Sequence, residues 1–247
     1  TEKAGIINHA EDHVITANTG TALRIIRQRC LSVDAQLTVL RDGKDFVWQE
    51  TDWQGTRFIF QNASRAFTTR LIGWHQAENT ALALAALQKL ATLGFPATEN
   101  DVRKGLRAVN WPGRMQRIVH KGTTLVLDGA HNPAAARALA RTVRELGVRK
   151  HDTAVIIGLK ETKNAKRAVP VLAALGTTVY FPRLQQLEHM SRPEDLLTIW
   201  QNGRITDSWQ QALGQAKRRG TKRVLITGSL YLIGDVLALL AGKQNRG

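Results

Sequence analysis

Cysteine and long apolar runs are the features this sequence has least of. Cys30 is its single cysteine, so no internal disulfide can form and a reducing compartment such as the cytoplasm is expected. Cys30 lies in a helical pattern, which predicts a buried, small, apolar residue. No uninterrupted apolar run reaches the roughly 20 residues that a membrane span requires, so we expect no membrane partner.

A glycine-rich phosphate loop is also absent. The pattern G-x-x-x-x-G-K-[ST] occurs nowhere, and Gly242-Lys243-Gln244 lacks both the upstream glycine spacing and the hydroxyl residue. The sequence also begins with Thr1 instead of methionine. We therefore expect it to be a fragment, preceded by a segment in which a targeting signal could lie.

Acidic residues are outnumbered, with 20 Asp and Glu against 35 Lys and Arg, and the formal net charge is +15. A surplus of this size raises nucleic acid as a partner. The basic residues, however, are scattered at helical spacing, as at Arg137, Arg141 and Arg144, and no aromatic residues are interleaved to stack bases. We expect no nucleic-acid partner; the charge either attracts anionic substrates or forms solvated helix faces.

The 247 residues can hold two modest domains, and 43% hydrophobic content supplies ordinary cores. In the first half the patterns predict a strand over 13–17, a helix over 21–31, hairpins over 36–71, and helices over 75–93 and 99–107. Trp111-Pro112-Gly113 interrupts any helix and predicts a hinge, so the expected domains are 1–112 and 113–247.

The second half alternates strands with helices. The predicted strands are 116–120, 124–127, 154–157, 178–181 and 223–227, and the predicted helices are 133–146, 165–175, 193–201, 208–218 and 231–240. Strands separated by helices predict an α/β domain with a mostly parallel sheet and right-handed crossovers.

Polar residues follow the apolar run Thr124 to Leu127 at once, in the order Asp128-Gly-Ala-His131-Asn132-Pro133. Such a pattern is typical of a buried strand whose carboxyl end reaches the ligand-binding edge of an α/β sheet. Pro133 suits the first turn of the next helix, and Asn132 can cap it. An ordinary strand, turn and capped helix is the alternative.

Five segments in the same order along the chain resemble the dihydrofolate synthase/folylpolyglutamate synthase branch of the Mur ligase superfamily. They are Glu2-Lys3-Ala4-Gly5-Ile6, Gly73-Trp74-His75-Gln76-Ala77-Glu78-Asn79, Pro112-Gly113-Arg114, Asp128 to Pro133, and Thr227-Gly228-Ser229-Leu230-Tyr231-Leu232-Ile233-Gly234. The resemblance implies that 1–112 is the tail of a central ATPase domain. It implies that 113–247 is a Rossmann-like C-terminal glutamate ligase domain.

The resemblance also implies a reaction. ATP phosphorylates a carboxylate of dihydropteroate or of a folate, and the amine of L-glutamate attacks the acyl phosphate to form an amide. ATP and Mg²⁺ are the implied cofactors. We expect a monomer, but the sequence leaves the oligomeric state and the polyglutamate chain length open. The phosphate loop and the implied Glu and His ligands for magnesium should lie upstream of Thr1, so the chain alone is expected to be inactive.

Two site residues follow from the resemblance in the first half. Lys3 is implied to be carbamylated, which would turn its ammonium into an anion that positions magnesium; only the neutral amine reacts with carbon dioxide, so its pKa must be lowered. Asn79 is implied to contact ATP. The alternatives are a surface lysine at Lys3 and a polar helix-start residue at Asn79, with His75 or Gln76 able to cap that helix.

Four more site residues are implied in the second half. Arg114 is implied to bind phosphate oxygens after domain closure, Asp128 and His131 to contact the nucleotide, and Ser229 to help hold an anion such as a glutamate carboxylate. The alternatives are a structural salt bridge for Arg114, stabilisation by a helix dipole for Asp128, and an ordinary helix cap for Ser229.

The sequence departs from the family after the strand that ends near Gly158. Where the family often has D-K-D, this chain keeps Lys163 but has Thr162 and Asn164, and Asn8 stands where a lysine is common. Substrate details are therefore open, and dihydrofolate synthase is not separated from folylpolyglutamate synthase. The rival hypotheses are another Mur-type ligase, for cell-wall precursors or cyanophycin, and a non-catalytic basic binding module.

Overall fold

The computed structural model describes residues 2–9, 13–61, 63–161, 164–184 and 189–244, with only the backbone at 2, 3, 9, 243 and 244. The chain divides into two compact units, one made of residues 1–70 and 74–109 and the other of residues 71–73 and 110–247. Both units combine helices with strands, so the α/β class expected from the sequence is confirmed.

The described residues of the first unit form two small sheets and three α-helices. Its elements are a 3-10 helix (Glu2–His9), β1 (His13–Thr16), α1 (Gly20–Ser32), β2 (Gln36–Val39), β3 (Phe46–Thr51), β4 (Thr56–Phe60), β5 (Phe67–Thr69), α2 (His75–Thr92) and α3 (Glu99–Ala108). Strands β3, β4 and β5 form the expected antiparallel hairpins. The expectation of a hairpin for β2 is wrong, because β2 pairs in parallel with β1 and α1 connects the two strands.

Aromatic side chains from the antiparallel sheet build the core of the first unit. Four phenylalanines pack against the small residues of α2, and the buried set includes Phe46, Phe58, Phe60, Phe67, Ala77, Ala81, Leu84 and Ala85. Alanines let a helix approach a sheet closely, while each buried phenylalanine contributes about 1.5–3 kcal/mol. Cys30 is buried at 2% exposure, as expected.

The second unit is a sheet with helices around it. Its elements are β6 (Gln116–His120), β7 (Thr123–Asp128), α4 (Pro133–Glu145), a 3-10 helix (Lys150–Asp152), β8 (Thr153–Ile157), α5 (Ala165–Ala173), β9 (Thr178–Pro182), α6 (Pro193–Ile199), β10 (Gly203–Thr206), α7 (Trp209–Arg218), β11 (Arg223–Thr227) and α8 (Leu230–Gln244). The strand order is β10-β9-β8-β11-β7-β6, and among the described strands of this sheet only β6 runs antiparallel to its neighbour. The expected mostly parallel sheet is confirmed.

The order of the strands distributes the helices between the two faces of this sheet. The chain steps in one direction from β7 through β8 and β9 to β10, and then returns to insert β11 between β7 and β8. Right-handed crossovers therefore place α7 on the face opposite α4, α5 and α6. The α7 face is closed by α8, with Trp209, Leu213, Leu232 and Val236 packed on alternate residues of the central strands.

Strand β10 was not anticipated from the sequence. It has four residues and lies at the edge of the sheet, where β9 is its one partner among the described strands. Short edge strands carry too little alternation to be recognised beside a Gln-Asn-Gly turn. None of the helices within the described ranges has both the length and the apolar character needed to cross a membrane.

Candidate functional site

The carboxylate of Asp128, at the carboxyl end of β7, forms hydrogen bonds that hold the turn before β6, in which Arg114 lies. Asp128 Oδ2 accepts a hydrogen bond from the backbone N–H of Met115 at 3.0 Å, and Oδ1 accepts from Ala130 at 3.0 Å. A third bond runs from the Gly129 N–H to the Gly113 carbonyl at 2.8 Å. These contacts fix the backbone on either side of Arg114, because the bonded positions precede and follow it.

The side chain of Arg114 is partly buried and lies beside Gly129. A Cβ at Gly129 would stand 3.1 Å from Arg114 Nη1 and 2.3 Å from Leu230 Cδ2, so glycine leaves the space that the guanidinium occupies. Within the described ranges, no carboxylate forms a salt bridge with Arg114. The structural salt bridge considered as its alternative role is therefore not seen there, although the charge of Arg114 interacts with that of Asp128.

Burial raises the pKa of Asp128 to about 6, even though the N–H donors of Met115 and Ala130 and the positive charges of Arg114 and His131 favour the ionised form. The cost of removing the charge from water is thus the larger effect at this position. The carboxyl group consequently changes charge just below neutral pH. Its neighbours show that Asp128 does more than stabilise a helix end, since it holds the Arg114 turn.

Helix α4 begins shortly after Asp128 and Gly129, with Asn132 as its N-cap and Pro133 as its first residue. The Asn132 side chain accepts from the Ala135 N–H at 2.9 Å with Pro133 in the first turn, so the expected cap is confirmed. His131 is exposed, and its Nδ1 lies 2.8 Å from the Gly129 carbonyl. A carbonyl can only accept, so Nδ1 carries a proton, and in the neutral ring Nε2 is left as an acceptor.

The end of β11 lies next to the ends of β7 and β8. Thr227 faces Asp128 on one side and Ile157 on the other, and its Oγ1 lies 3.5 Å from the Ala130 carbonyl. Gly228 follows with a φ of +107°, and a Cβ there would come within 2.6 Å of the Gly158 carbonyl oxygen. The carboxyl ends of β7, β8 and β11 therefore lie side by side at one edge of the sheet.

Ser229 is buried at this edge with 2% exposure. Its Oγ accepts from the backbone N–H of Tyr231 at 3.1 Å, which is the behaviour of a helix cap at the start of α8. A hydroxyl that accepts a backbone N–H still has its own proton to donate, so this contact is compatible with an anion ligand and does not test it.

The candidate residues of the first unit lie at the start of α2. Asn79 Nδ2 donates to Gln76 Oε1 at 3.0 Å, and Gln76 Nε2 lies 3.0 Å from His75 Nε2. Neither His75 nor Gln76 caps the helix, because Trp74 occupies the N-cap and makes no side-chain cap bond. Gln76 is buried whereas Asn79 is exposed, so the buried amide orients the exposed one.

Lys3 stays a prediction, because its side chain lies outside the described residues. Thr162 and Lys163 of the segment that departs from the family pattern also lie outside them. The contribution of Met115 was not anticipated, because a backbone N–H carries no signal in the sequence. The sequence identified Thr227 only as part of a motif. Its position opposite Asp128 is shown by the pairing of β11 with β7.

Residues 112–239 match the family model described as dihydrofolate synthetase, C-terminal domain. Among curated relatives, a folylpolyglutamate synthase of Lacticaseibacillus casei is 29% identical over 98% of this chain and 57% of its own length. A dihydrofolate synthase/folylpolyglutamate synthase of Bacillus subtilis is 28% identical over 95% of this chain and 56% of its own length. The chain thus spans a little over half of these relatives.

Solved structures give the same picture. The Escherichia coli FolC structure in complex with DHPP and ADP has a TM-score of 0.78 and 26% identity, covering 98% of this chain and 56% of that one. The Mycobacterium tuberculosis folylpolyglutamate synthase complexed with ADP and AMPPCP has a TM-score of 0.80 at 21% identity, covering 97% and 60%. The second likeness supports the fold alone.

Proposed function

Because this chain belongs to the dihydrofolate synthase/folylpolyglutamate synthase family, we propose that it is part of an ATP-dependent ligase that joins L-glutamate to dihydropteroate or to a folate. The second unit would be the glutamate ligase domain, and the first would belong to the ATP-binding domain. The match over residues 112–239 supports this assignment, since it falls inside the second unit.

The observation that carries the proposal is the guanidinium of Arg114, held beside Gly129 by the turn that Asp128 fastens. A carboxylate is a poor electrophile until its oxygen is phosphorylated, and phosphoryl transfer needs fixed positive charge around the phosphate oxygens. An arginine offers such oxygens two parallel N–H donors. Hydrogen bonds on both sides of Arg114 hold its backbone, which lowers the entropy lost when a phosphate binds.

The neighbouring polar groups suit the rest of a nucleotide and an amino acid. Each carboxylate oxygen of Asp128 has acceptor capacity left after its backbone bond, so it can accept from a ribose hydroxyl. The Nε2 atom of His131 is available to an ammonium or hydroxyl group of a substrate. The Oγ–H of Ser229 can donate to a substrate carboxylate. In the first unit, Asn79 can donate to and accept from a base.

The described residues contain no cluster of three or more His, Cys, Asp or Glu side chains suited to a metal ion. They therefore do not by themselves offer a magnesium site, and we assign no step of the reaction to a metal held by them. Lys3, as a carbamate, remains the proposed contribution of this chain to a magnesium ion. The cytoplasmic location, the monomeric state and the lack of a nucleic-acid partner also remain proposals.

The test is a ligation assay on the complete product of the parent gene, with ATP, glutamate and either dihydropteroate or tetrahydrofolate. We expect amide product and phosphate release that require both substrates, and loss of product in Arg114→Ala. Arg137→Ala, which removes an exposed arginine from α4, is the matched control and should stay active. Phosphate release that ignores both substrates would refute the proposal, and turnover of a muramoyl substrate would move the chain to another Mur-type activity.

A further inference from the structure

Two arginines near the ends of β8 and β9 are neutralised by acidic side chains, whereas one lysine is not. Arg183 pairs with Glu194 at 2.6 Å, and Arg192 pairs with Asp195 at 3.0 Å. Lys160 forms no salt bridge with any described carboxylate. Its Nζ instead lies 4.7 Å from the centroid of the Tyr231 ring, which is cation–π geometry.

Lys160 belongs to the same edge of the sheet as Ser229. It follows β8 by three residues, and Gly158 between them donates to the Thr227 carbonyl at 3.1 Å. Tyr231, which receives the ammonium on its ring, donates its own backbone N–H to Ser229. The Lys160 ammonium group therefore contacts the ring of Tyr231, and the backbone of Tyr231 is hydrogen-bonded to Ser229 just after β11.

At the carboxyl edge, neither Arg114 nor Lys160 forms a salt bridge with a described carboxylate, although the charge of Asp128 interacts with that of Arg114. Arg114 lies at the β7 end and Lys160 at the β8 and β11 ends. Lys160 also stands near the first turn of α8, where the helix dipole is positive, so the local electrostatics are unfavourable until an anion binds. A phosphate is the anion that suits Arg114, which leaves a carboxylate for Lys160.

We propose that Lys160 is a specificity-determining residue that pairs with the side-chain carboxylate of the incoming glutamate. This inference rests on the proposed function, because it names the contact that makes the amino-acid substrate a dicarboxylic one. Tyr231 acts as a positioning residue: its ring restricts the flexible lysine side chain before the substrate arrives. Glutamine, which has the same shape but no side-chain charge, gains nothing from this contact.

The experiment compares the complete gene product with Lys160→Met, Lys160→Arg and the matched control Lys166→Met, an exposed lysine of α5. We expect Lys160→Met to raise the KM for glutamate at least about tenfold, the loss expected for one charge-assisted hydrogen bond. The kcat and the KM for ATP should stay within about twofold, and kcat/KM for glutamine should not change. Lys160→Arg should retain most of the glutamate affinity.

A second measurement does not depend on the amine. Glutarate carries both carboxylates, so its inhibition constant should rise about tenfold in Lys160→Met and stay constant in Lys166→Met. An unchanged glutamate KM in Lys160→Met, or equal losses with glutamate and glutamine, would overturn the inference while the wild-type ligation upheld the proposed function. Failure of the wild-type protein to ligate glutamate at all would instead refute the proposed function.

Discussion

Asp128 accepts the backbone N–H of Met115 at 3.0 Å, so the acid that ends β7 holds the turn that carries Arg114. The sequence suggested Arg114 and Asp128 as separate ligand contacts, but a hydrogen bond of Asp128 holds the turn in which Arg114 lies. A change at Asp128 alters the placement of the guanidinium even where it leaves the guanidinium itself intact.

The pH dependence of stability should report this carboxyl group. Its pKa rises from the ordinary 3.8 to about 6 in the folded chain, so between these values the folded state keeps a proton that the unfolded state has lost. The free energy of unfolding therefore decreases as pH rises through this window, by up to roughly 3 kcal/mol. Urea unfolding of the chain and of Asp128→Asn, which cannot titrate, measures the difference from about pH 4 to about pH 7. A pH-independent difference would contradict the shift.

Arg114→Lys should keep the charge but lose the paired donors. We expect kcat/KM for ATP to fall by about tenfold to a hundredfold in the complete gene product, with the free energy of unfolding of the chain unchanged, because no described carboxylate pairs with the guanidinium. Steady-state kinetics at varied ATP measure the effect. Arg137→Lys on α4 provides the same substitution at an exposed site, and a comparable loss in that variant would remove the argument for bidentate binding.

Gly228→Ala should destabilise the chain by about 2–4 kcal/mol. The φ of +107° is unfavourable for alanine, and the new Cβ would lie 2.6 Å from a backbone oxygen of Gly158, which cannot rotate away. Urea unfolding of the chain measures the loss. Gly234→Ala is the matched control, since a Cβ there meets nothing within 4 Å, and it should be neutral or stabilising by up to about 1 kcal/mol. Equal stability of the two variants would argue against the packing at Gly228.

Trp209→Phe should cost about 1.5–3 kcal/mol of the free energy of unfolding, because the indole Nε1 donates to Asp235 Oδ2 at 2.6 Å. Trp209 is buried on the α7 face and Asp235 is partly buried, so the carboxylate would lose a charge-assisted donor at a position that water reaches only in part. Denaturant unfolding measures the cost. Trp200→Phe makes the same change at a partly exposed residue and is expected to cost clearly less; a similar cost at both positions would assign the loss to ring volume alone.

Much of the second unit could be read from the sequence because its strands are long, apolar and separated by helical patterns. The position of the candidate site at the carboxyl edge of the sheet could be predicted from Asp128 and the polar residues that follow it. The pairing of β2 with β1 was missed because periodicity identifies a strand without identifying its partner. Strand β10 was missed because four residues at a sheet edge carry little pattern.

Within the site, side-chain chemistry was predictable and backbone chemistry was not. The identities of Arg114 and Asp128 suggested ligand contacts, but the acceptance of the Met115 N–H depends on a turn with a left-handed residue, since Met115 has a φ of +46°. The contact between the Lys160 ammonium and the Tyr231 ring could not be predicted either, because the two residues are 71 positions apart along the chain. Only the folded chain shows such neighbours.

The insertion of β11 between β7 and β8 sets the order in which the second unit can be built during synthesis. The central strand β11 is the last strand of the sheet to leave the ribosome. It begins at Arg223, which is 65 residues after the end of β8 (158–222) and 94 residues after the end of β7 (129–222), so neither strand can form this pairing before those residues are made. During that interval two apolar strand edges stay open to unwanted pairing. The unit should therefore depend on chaperones more than a sheet assembled in sequence order, and nascent chains released before residue 227 should aggregate.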